Sequence, residues 1–176
     1  MIRAARPLAL GLFLAACATV PSGTAYRDTG QPLSVTTRND TSRLAGNWIV
    51  RAATPDDAGP IAVAFRNGDG ADSFAITRRV CAANTCEARR TTYTAPRLGP
   101  NRWRLAAPDA PTEIWVVWVD EGYRTAAFGT PDGSFGWILD RAATGGTDRL
   151  RAAREILEFN GYRPGAIAMR HTGDDT

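Results

Sequence analysis

Apolar side chains crowd most densely between Glu113 and Arg141, EIWVVWVDEGYRTAAFGTPDGSFGWILDR, and their arrangement predicts three antiparallel strands in a meander. Glu113 to Asp120 is Ile, Trp and Val almost without a break, residues that suit a pleated surface covered on both faces. Asp120-Glu121-Gly122 closes a turn, with Gly122 expected to take the positive φ. Tyr123 to Gly129 follows, then the turn Thr130-Pro131-Asp132-Gly133. Ser134 to Asp140 then puts Phe135, Trp137 and Leu139 on one face. Upstream, shorter β-favouring runs recur at roughly ten-residue spacing. They are Leu44 to Ala52, Ile61 to Arg66, Ser73 to Cys81, Glu87 to Thr94 and Arg102 to Leu105, with Pro, Gly, Asn and Asp clusters between. The pattern predicts an all-β fold: an eight-stranded up-and-down antiparallel barrel, whose closure removes the exposed edges of an open sheet. After Arg141 the period changes. Leu150, Ala153, Ile156, Leu157 and Phe159 fall at offsets that give a helix one apolar face, with Asp148 in its first turn and Asn160-Gly161 ending it. This C-terminal α-helix is expected to pack outside the barrel.

Composition narrows the picture. At 176 residues and 44% hydrophobic content the chain can bury one domain's core. Its net charge is +3, every basic residue is Arg, and the arginines are spread rather than blocked, so no nucleic-acid footprint is read. The N-terminus reads differently. Arg3 and Arg6 precede a short apolar run, Leu8 to Leu14, too brief to span a bilayer. The following Leu14-Ala15-Ala16-Cys17 resembles a bacterial lipobox, so residues 1–16 are expected to be a lipoprotein signal peptide and Cys17 the acylated residue. Residue 18 is Ala and not Asp, which by resemblance to enterobacterial sorting implies a bacterial outer-membrane protein, lipid-anchored and facing the periplasm. Residues 17–42, rich in Thr, Ser, Pro, Gly and Asn, are expected to be a flexible tether that braces the fold at most in part. The domain then covers 43–170, with 171–176 a frayed tail.

Gly46 and Trp48 on the first strand, the Asp120-to-Tyr123 turn, Arg141 closing the last strand and the single helix after it together resemble the lipocalin family. The likeness is strongest to bacterial outer-membrane lipocalins, through Trp137-Ile138-Leu139-Asp140-Arg141; Thr54 to Pro108 matches only as a strand pattern. The resemblance implies that Gly46, Trp48, Tyr123 and Arg141 form a structural plug at the closed barrel end, the Arg141 guanidinium lying over the Trp48 indole and bonding backbone carbonyls. It also implies an apolar calyx. Alternation from Trp48 points Val50 and Ala52 inward and Arg51 to water. The further candidate ligand contacts are Val63, Phe65, Phe74, Ile76, Trp103, Trp115 or its strand neighbours, Phe135 and Trp137, each as well suited to core packing as to a ligand.

Cys81 and Cys86 flank Ala82-Ala83-Asn84-Thr85, and a disulfide is expected of them in an oxidising periplasm. Two cysteines with His171 far off in sequence make no metal site. That lone His, the lack of a Gly-x-Ser-x-Gly elbow or phosphate loop, and acid pairs confined to turns give no enzymatic reading, and no cofactor is expected. Two functions are left. One is binding, storage or transport of a small apolar ligand such as a fatty acid or lysophospholipid, by a protein held at the membrane through N-terminal acyl chains. The other is a structural or interaction lipoprotein of the envelope whose barrel is filled by its own side chains. Pairing of two barrels into a homodimer is left open.

Overall fold

The structure, a computed structural model, describes residues 25–55, 60–82, 85–106 and 113–170. The signal peptide, Cys17 and the 171–176 tail lie outside them. Among the described residues ten strands and one helix form, in the order β1 (Gly46–Ala53), β2 (Pro60–Arg66), β3 (Asp72–Ala82), β4 (Thr85–Ala95), β5 (Arg97–Gly99), β6 (Arg102–Arg104), β7 (Glu113–Val119), β8 (Thr125–Gly129), β9 (Gly136–Asp140), α1 (Thr147–Phe159) and β10 (Ala168–Met169). All eight expected strands are present. The additions are short: β5 continues β4 past Pro96, and β10 pairs with the end of β1.

Every pairing is antiparallel, and the sheet runs β4-β3-β2-β1-β9-β8-β7-β6-β5. It curls until its two ends meet, where the Thr94 and Pro96 carbonyls accept from the Ala106 and Arg104 N–H groups at 3.1 and 3.0 Å. The registers set the two ends of the barrel. Gly46, Phe65, Phe74 and Tyr93 share one level near the closed end, whereas Ala53, Trp137 and Phe128 share another toward the mouth. The β3–β4 hairpin outruns its neighbours, since Pro60, the first residue of β2, already pairs with Arg78.

Two apolar clusters result. The inner one draws on β1 to β4 and β6 to β9. The outer one lies where Leu150, Ala153 and Leu157 of α1 cover Ala52, Val117, Ala127 and Ile138 from β1, β7, β8 and β9. That second layer accounts for the unbroken apolar run in β7 and for β8 and β9 being buried at every position. Phe159, placed by periodicity on the helix's apolar face, is instead 84% exposed.

Local geometry departs from simple alternation in several places. Register shifts between Val50 and Ala52, and again between Val116 and Trp118, mark β-bulges that flip the side-chain sequence by one. Ala52 therefore faces the helix while Ala53 enters the barrel, and Arg51 is buried with its guanidinium on the Ala142 and Gly145 carbonyls. In the turn after β7 the positive φ falls on Tyr123 (56°) rather than Gly122. The Asp120 carboxylate holds it there, accepting from the backbone N–H of Gly122, Arg124 and Thr125.

The described part of the expected tether, 25–42, lies on the domain. Arg27 bridges Tyr162, Tyr26 N–H donates to Gly133, and Thr36 N–H donates to Val116. The Arg27 guanidinium is buried and spent on the carbonyls of Asn160, Pro131 and Gln31, which accounts for a segment poor in large apolar groups docking at all.

Candidate functional site

The barrel has two ends of different chemistry. At the closed end Arg141 leaves β9 and turns over Trp48, its Cζ 3.6 Å from the ring centroid. Its guanidinium donates to the carbonyls of Asn47 (2.8 Å), Arg43 (2.9 Å), Leu44 (3.2 Å) and Ala45 (2.9 Å). The Trp48 indole N–H donates to Leu44 at 2.8 Å. Gly46 makes room: its φ is 107°, and a Cβ there would stand 3.1 Å from Arg141 Nη1. Arg43 lies over the Tyr123 ring at 4.2 Å. The four residues expected at the closed end thus stand together, with every described bond to backbone or ring, so the cluster closes the barrel and offers no reactive atom.

A second buried polar group there escaped the sequence reading. The Asp72 carboxylate is 3% exposed; Oδ2 accepts from the Trp103 indole N–H at 2.6 Å and from Arg97 Nη2 at 2.6 Å, and Oδ1 from Gly68 N–H at 3.3 Å. Burial alone would push this carboxyl up, but the Trp103, Arg97 and Gly68 bonds outweigh it and hold the group below its ordinary value. The signal was present in β3: counting back by two from Ile76 and Phe74 puts Asp72 inside.

Of the candidate ligand contacts, Val50, Val63, Phe65, Phe74, Ile76, Trp103, Phe135 and Trp137 all face the interior, at 0–3% exposure. They meet one another. Phe65, Phe74 and Trp103 form a triangle with centroids 4.9, 5.2 and 5.5 Å apart, and Phe135 stacks on Trp137 at 4.4 Å. A side chain with no accessible surface touches no space that water could enter, so Trp103, Trp137, Ile114, Val116 and Leu139, all at 0%, are core. Trp115 is a correction. It lies on the outer face of β7, its indole N–H on Glu113 Oε2 and Arg102 over its ring at 5.2 Å, while Ile114 and Val116 point inward.

Open space is found at the mouth. The inward-facing row of the β3–β4 hairpin continues past Ile76 as Arg78, Val80 and Ala82 and returns as Thr85, Glu87 and Arg89; all of these but Arg78, together with Ala88, line a hollow of about 370 Å³. Val80 is 46% exposed in it. The lining joins an apolar floor to one carboxylate and one guanidinium. Cys81 and Cys86 face each other on the opposite side of this hairpin and form a disulfide, directly cross-strand rather than across a four-residue turn. Among the described residues no group of His, Cys, Asp and Glu could hold a metal ion.

No family model and no curated protein matches the sequence. Solved structures do. Apocrustacyanin C1 superposes with a TM-score of 0.59 at 12% identity, over 79% of this chain and 83% of that one. Apocrustacyanin C2 gives 0.57 at 12% identity over 78% and 82%. Insecticyanin from the tobacco hornworm Manduca sexta gives 0.57 at 13% identity over 82% and 85%. These are lipocalins, and at such low identity the likeness shows the fold: a lipocalin fold of a curled antiparallel sheet with one helix.

Proposed function

We propose that this chain binds a small apolar or amphiphilic molecule, a fatty acid or lysophospholipid in class, at the mouth of its barrel, and that it does so as a bacterial lipoprotein anchored through acyl chains on Cys17. The observation that carries the reading is the hollow on the inner face of the β3–β4 hairpin. It continues the interior surface of the fold, lies within the size range of small-molecule sites, and sets Val80 and Ala82 beside Arg89, a floor for an acyl chain next to a cation for an anionic head. Support for the anchor is the Leu14-Ala15-Ala16-Cys17 sequence, and Ala18 favours the outer membrane, with the domain in the periplasm. Several acyl chains, each contributing about 0.8 kcal/mol per buried methylene, would make the attachment firm.

One observation favours a second reading, an envelope lipoprotein with a self-filled barrel: the deep interior is packed to zero exposure at Trp103, Trp137 and Leu139. Mass spectrometry of lipids extracted from the purified chain, joined to displacement of a fluorescent fatty acid, separates the two. Bound lipid and dye displacement that weakens at least tenfold in Val80→Asp support the mouth site; an empty protein that displaces no dye leaves the structural reading. For the anchor, Cys17→Ala is expected to abolish palmitate labelling and release the protein from the membrane fraction.

A further inference from the structure

Strand β4 is bonded along its length by β3 on one side, and among the described residues its other side is bare from Thr85 to Thr92. β3 pairs with it from Asp72 opposite Ala95 to Ala82 opposite Thr85 without a slip, so β4 residues alternate strictly between backbone groups aimed at β3 and backbone groups aimed away. Cys81 and Cys86 stand opposite with Cα atoms 4.0 Å apart, the close spacing of a pair that exchanges no backbone bonds. Cys86, Ala88, Arg90, Thr92 and Thr94 therefore turn N–H and C=O outward. The other end of the strand agrees, since the Thr94 carbonyl accepts from Ala106 N–H across the barrel seam. Above that bond β4 ends the sheet, Thr85 to Thr92 are exposed, and among the described residues no strand pairs with this edge.

A long bare edge is a template for strand addition unless something blocks it. We propose that its occupant is the same edge of a second copy, running antiparallel, with Ala88 opposite the partner's Ala88 on a two-fold axis. The bonding parity permits this register. Ala88 with the partner's Ala88, Cys86 with the partner's Arg90, and Arg90 with the partner's Cys86 all carry outward backbone groups, so about six backbone bonds form across the axis. Between them, in the close non-bonded pairs, Glu87 faces the partner's Arg89 and Arg89 faces the partner's Glu87. Opposite charges directly across two strands favour pairing and like charges oppose it. Among the described residues neither Glu87 nor Arg89 has an ion-pair partner in its own chain, so both are available.

Neighbouring registers are worse. Centring on Glu87 or on Arg89 sets that charge against its own copy, centring on Arg90 sets that arginine against the partner's Arg90, and centring on Cys86 shortens the overlap and leaves Glu87 opposite Thr85. The sequence thus selects one alignment, and the small side chain of Ala88 sits where the two strands cross the axis. The inner-face residues Glu87 and Arg89 of both copies then meet, bringing the two mouths side by side.

An interface built on one strand edge is small, so the dimer is expected to be concentration-dependent. Sedimentation velocity on the whole chain, from about 1 μM to about 500 μM, should show the mass rising from one chain toward two. Ala88→Pro removes an outward N–H and no bond to β3, and should weaken dimerisation at least tenfold with an unchanged melting curve. Glu87→Arg sets like charges across the axis and should also weaken it at least tenfold, whereas Glu87→Arg with Arg89→Glu exchanges the pair and should restore it. This rescue carries the test if Ala88→Pro disturbs the hairpin. A mass of one chain at every concentration, or a dimer indifferent to the charge changes, overturns the proposal.

Discussion

At the scale of single residues, two arginines on tryptophans do different work because of what else surrounds them. Arg102 lies 5.2 Å from the Trp115 ring on the outer surface, where solvent competes for the charge. Arg141 lies 3.6 Å from Trp48 and donates to four carbonyls besides, and burial pulls its pKa down from the usual guanidinium value. Lys has one nitrogen and no planar fork, so Arg141→Lys should lose most of those bonds together with the stacking. We expect it to cost about 2 kcal/mol, read as a lower urea midpoint, and Arg102→Lys to cost less than about 0.5 kcal/mol. Asp72 supplies a pH test. Its folded pKa is depressed, so its contribution is present above the unfolded value of about 3.9 and is lost as pH falls through the folded one. Asp72→Asn should therefore be less stable than the parent at pH 6 by about 1–3 kcal/mol, and its urea midpoint should fall less steeply below pH 4. Parallel acid limbs for the two proteins would rule this out. Trp48 and Arg141 were legible because their roles follow from a motif at the strand ends; Asp72 carried no motif, only the parity of β3.

Among elements, the meander, the helix and the hairpin disulfide could all be read from apolar spacing, turn residues and cysteine placement. The bulges in β1 and β7 could not. In β1 and β7 the residues on both sides of the bulge, Val50 and Ala52, Val116 and Trp118, are all apolar, and because α1 covers the outer face, a residue flipped by one position still finds an apolar neighbour. Composition therefore does not record the slip, and alternation alone puts Ala52 on the wrong side; Trp115, ahead of its bulge, is misplaced because an all-apolar strand has no polar residue to set its phase. The docking of 25–42 was hidden for a related reason, since it rests on carbonyl acceptors for Arg27 rather than on an apolar stripe. Tyr162 holds the far end of this region. It is 1% exposed, donates to the Phe135 carbonyl at 2.6 Å, accepts from Thr130 N–H, and fills space that only Gly129 and Gly136 leave free. Burial pushes its pKa to about 12. A group raised this way favours the fold below its unfolded value of about 10 and loses that contribution as pH climbs through the folded one. Tyr162→Phe should thus lower stability at pH 7 by about 1–2 kcal/mol and flatten the alkaline limb between pH 10 and 12, as followed by circular dichroism. The Cys81–Cys86 bridge closes a short loop at an exposed tip, so reducing it should cost under about 2 kcal/mol globally.

For the whole molecule, the question is where a barrel this well filled keeps a ligand. Depth and mouth make different demands on mutation. If guests entered the interior, they would have to displace side chains such as Trp103, which already meets Phe65, Phe74 and Asp72 and has no free surface. The cost of opening such a site is set by cavity formation, so Trp103→Ala should destabilise the fold by about 3–5 kcal/mol, too much to be the resting arrangement of a binding pocket. The mouth has no such barrier, because Val80 and Arg89 are exposed before anything binds. Arg89→Glu should leave the melting temperature within a degree or two of the parent while weakening displacement of an anionic fluorescent fatty acid several-fold. Displacement of a neutral apolar dye should change little, since the floor of Val80 and Ala82 is untouched. The Trp103→Phe variant, which keeps most of the aromatic volume, should bind both probes as the parent does. Should Trp103→Phe weaken binding and Arg89→Glu not, the ligand lies among the buried rings, and the packed interior opens to admit it.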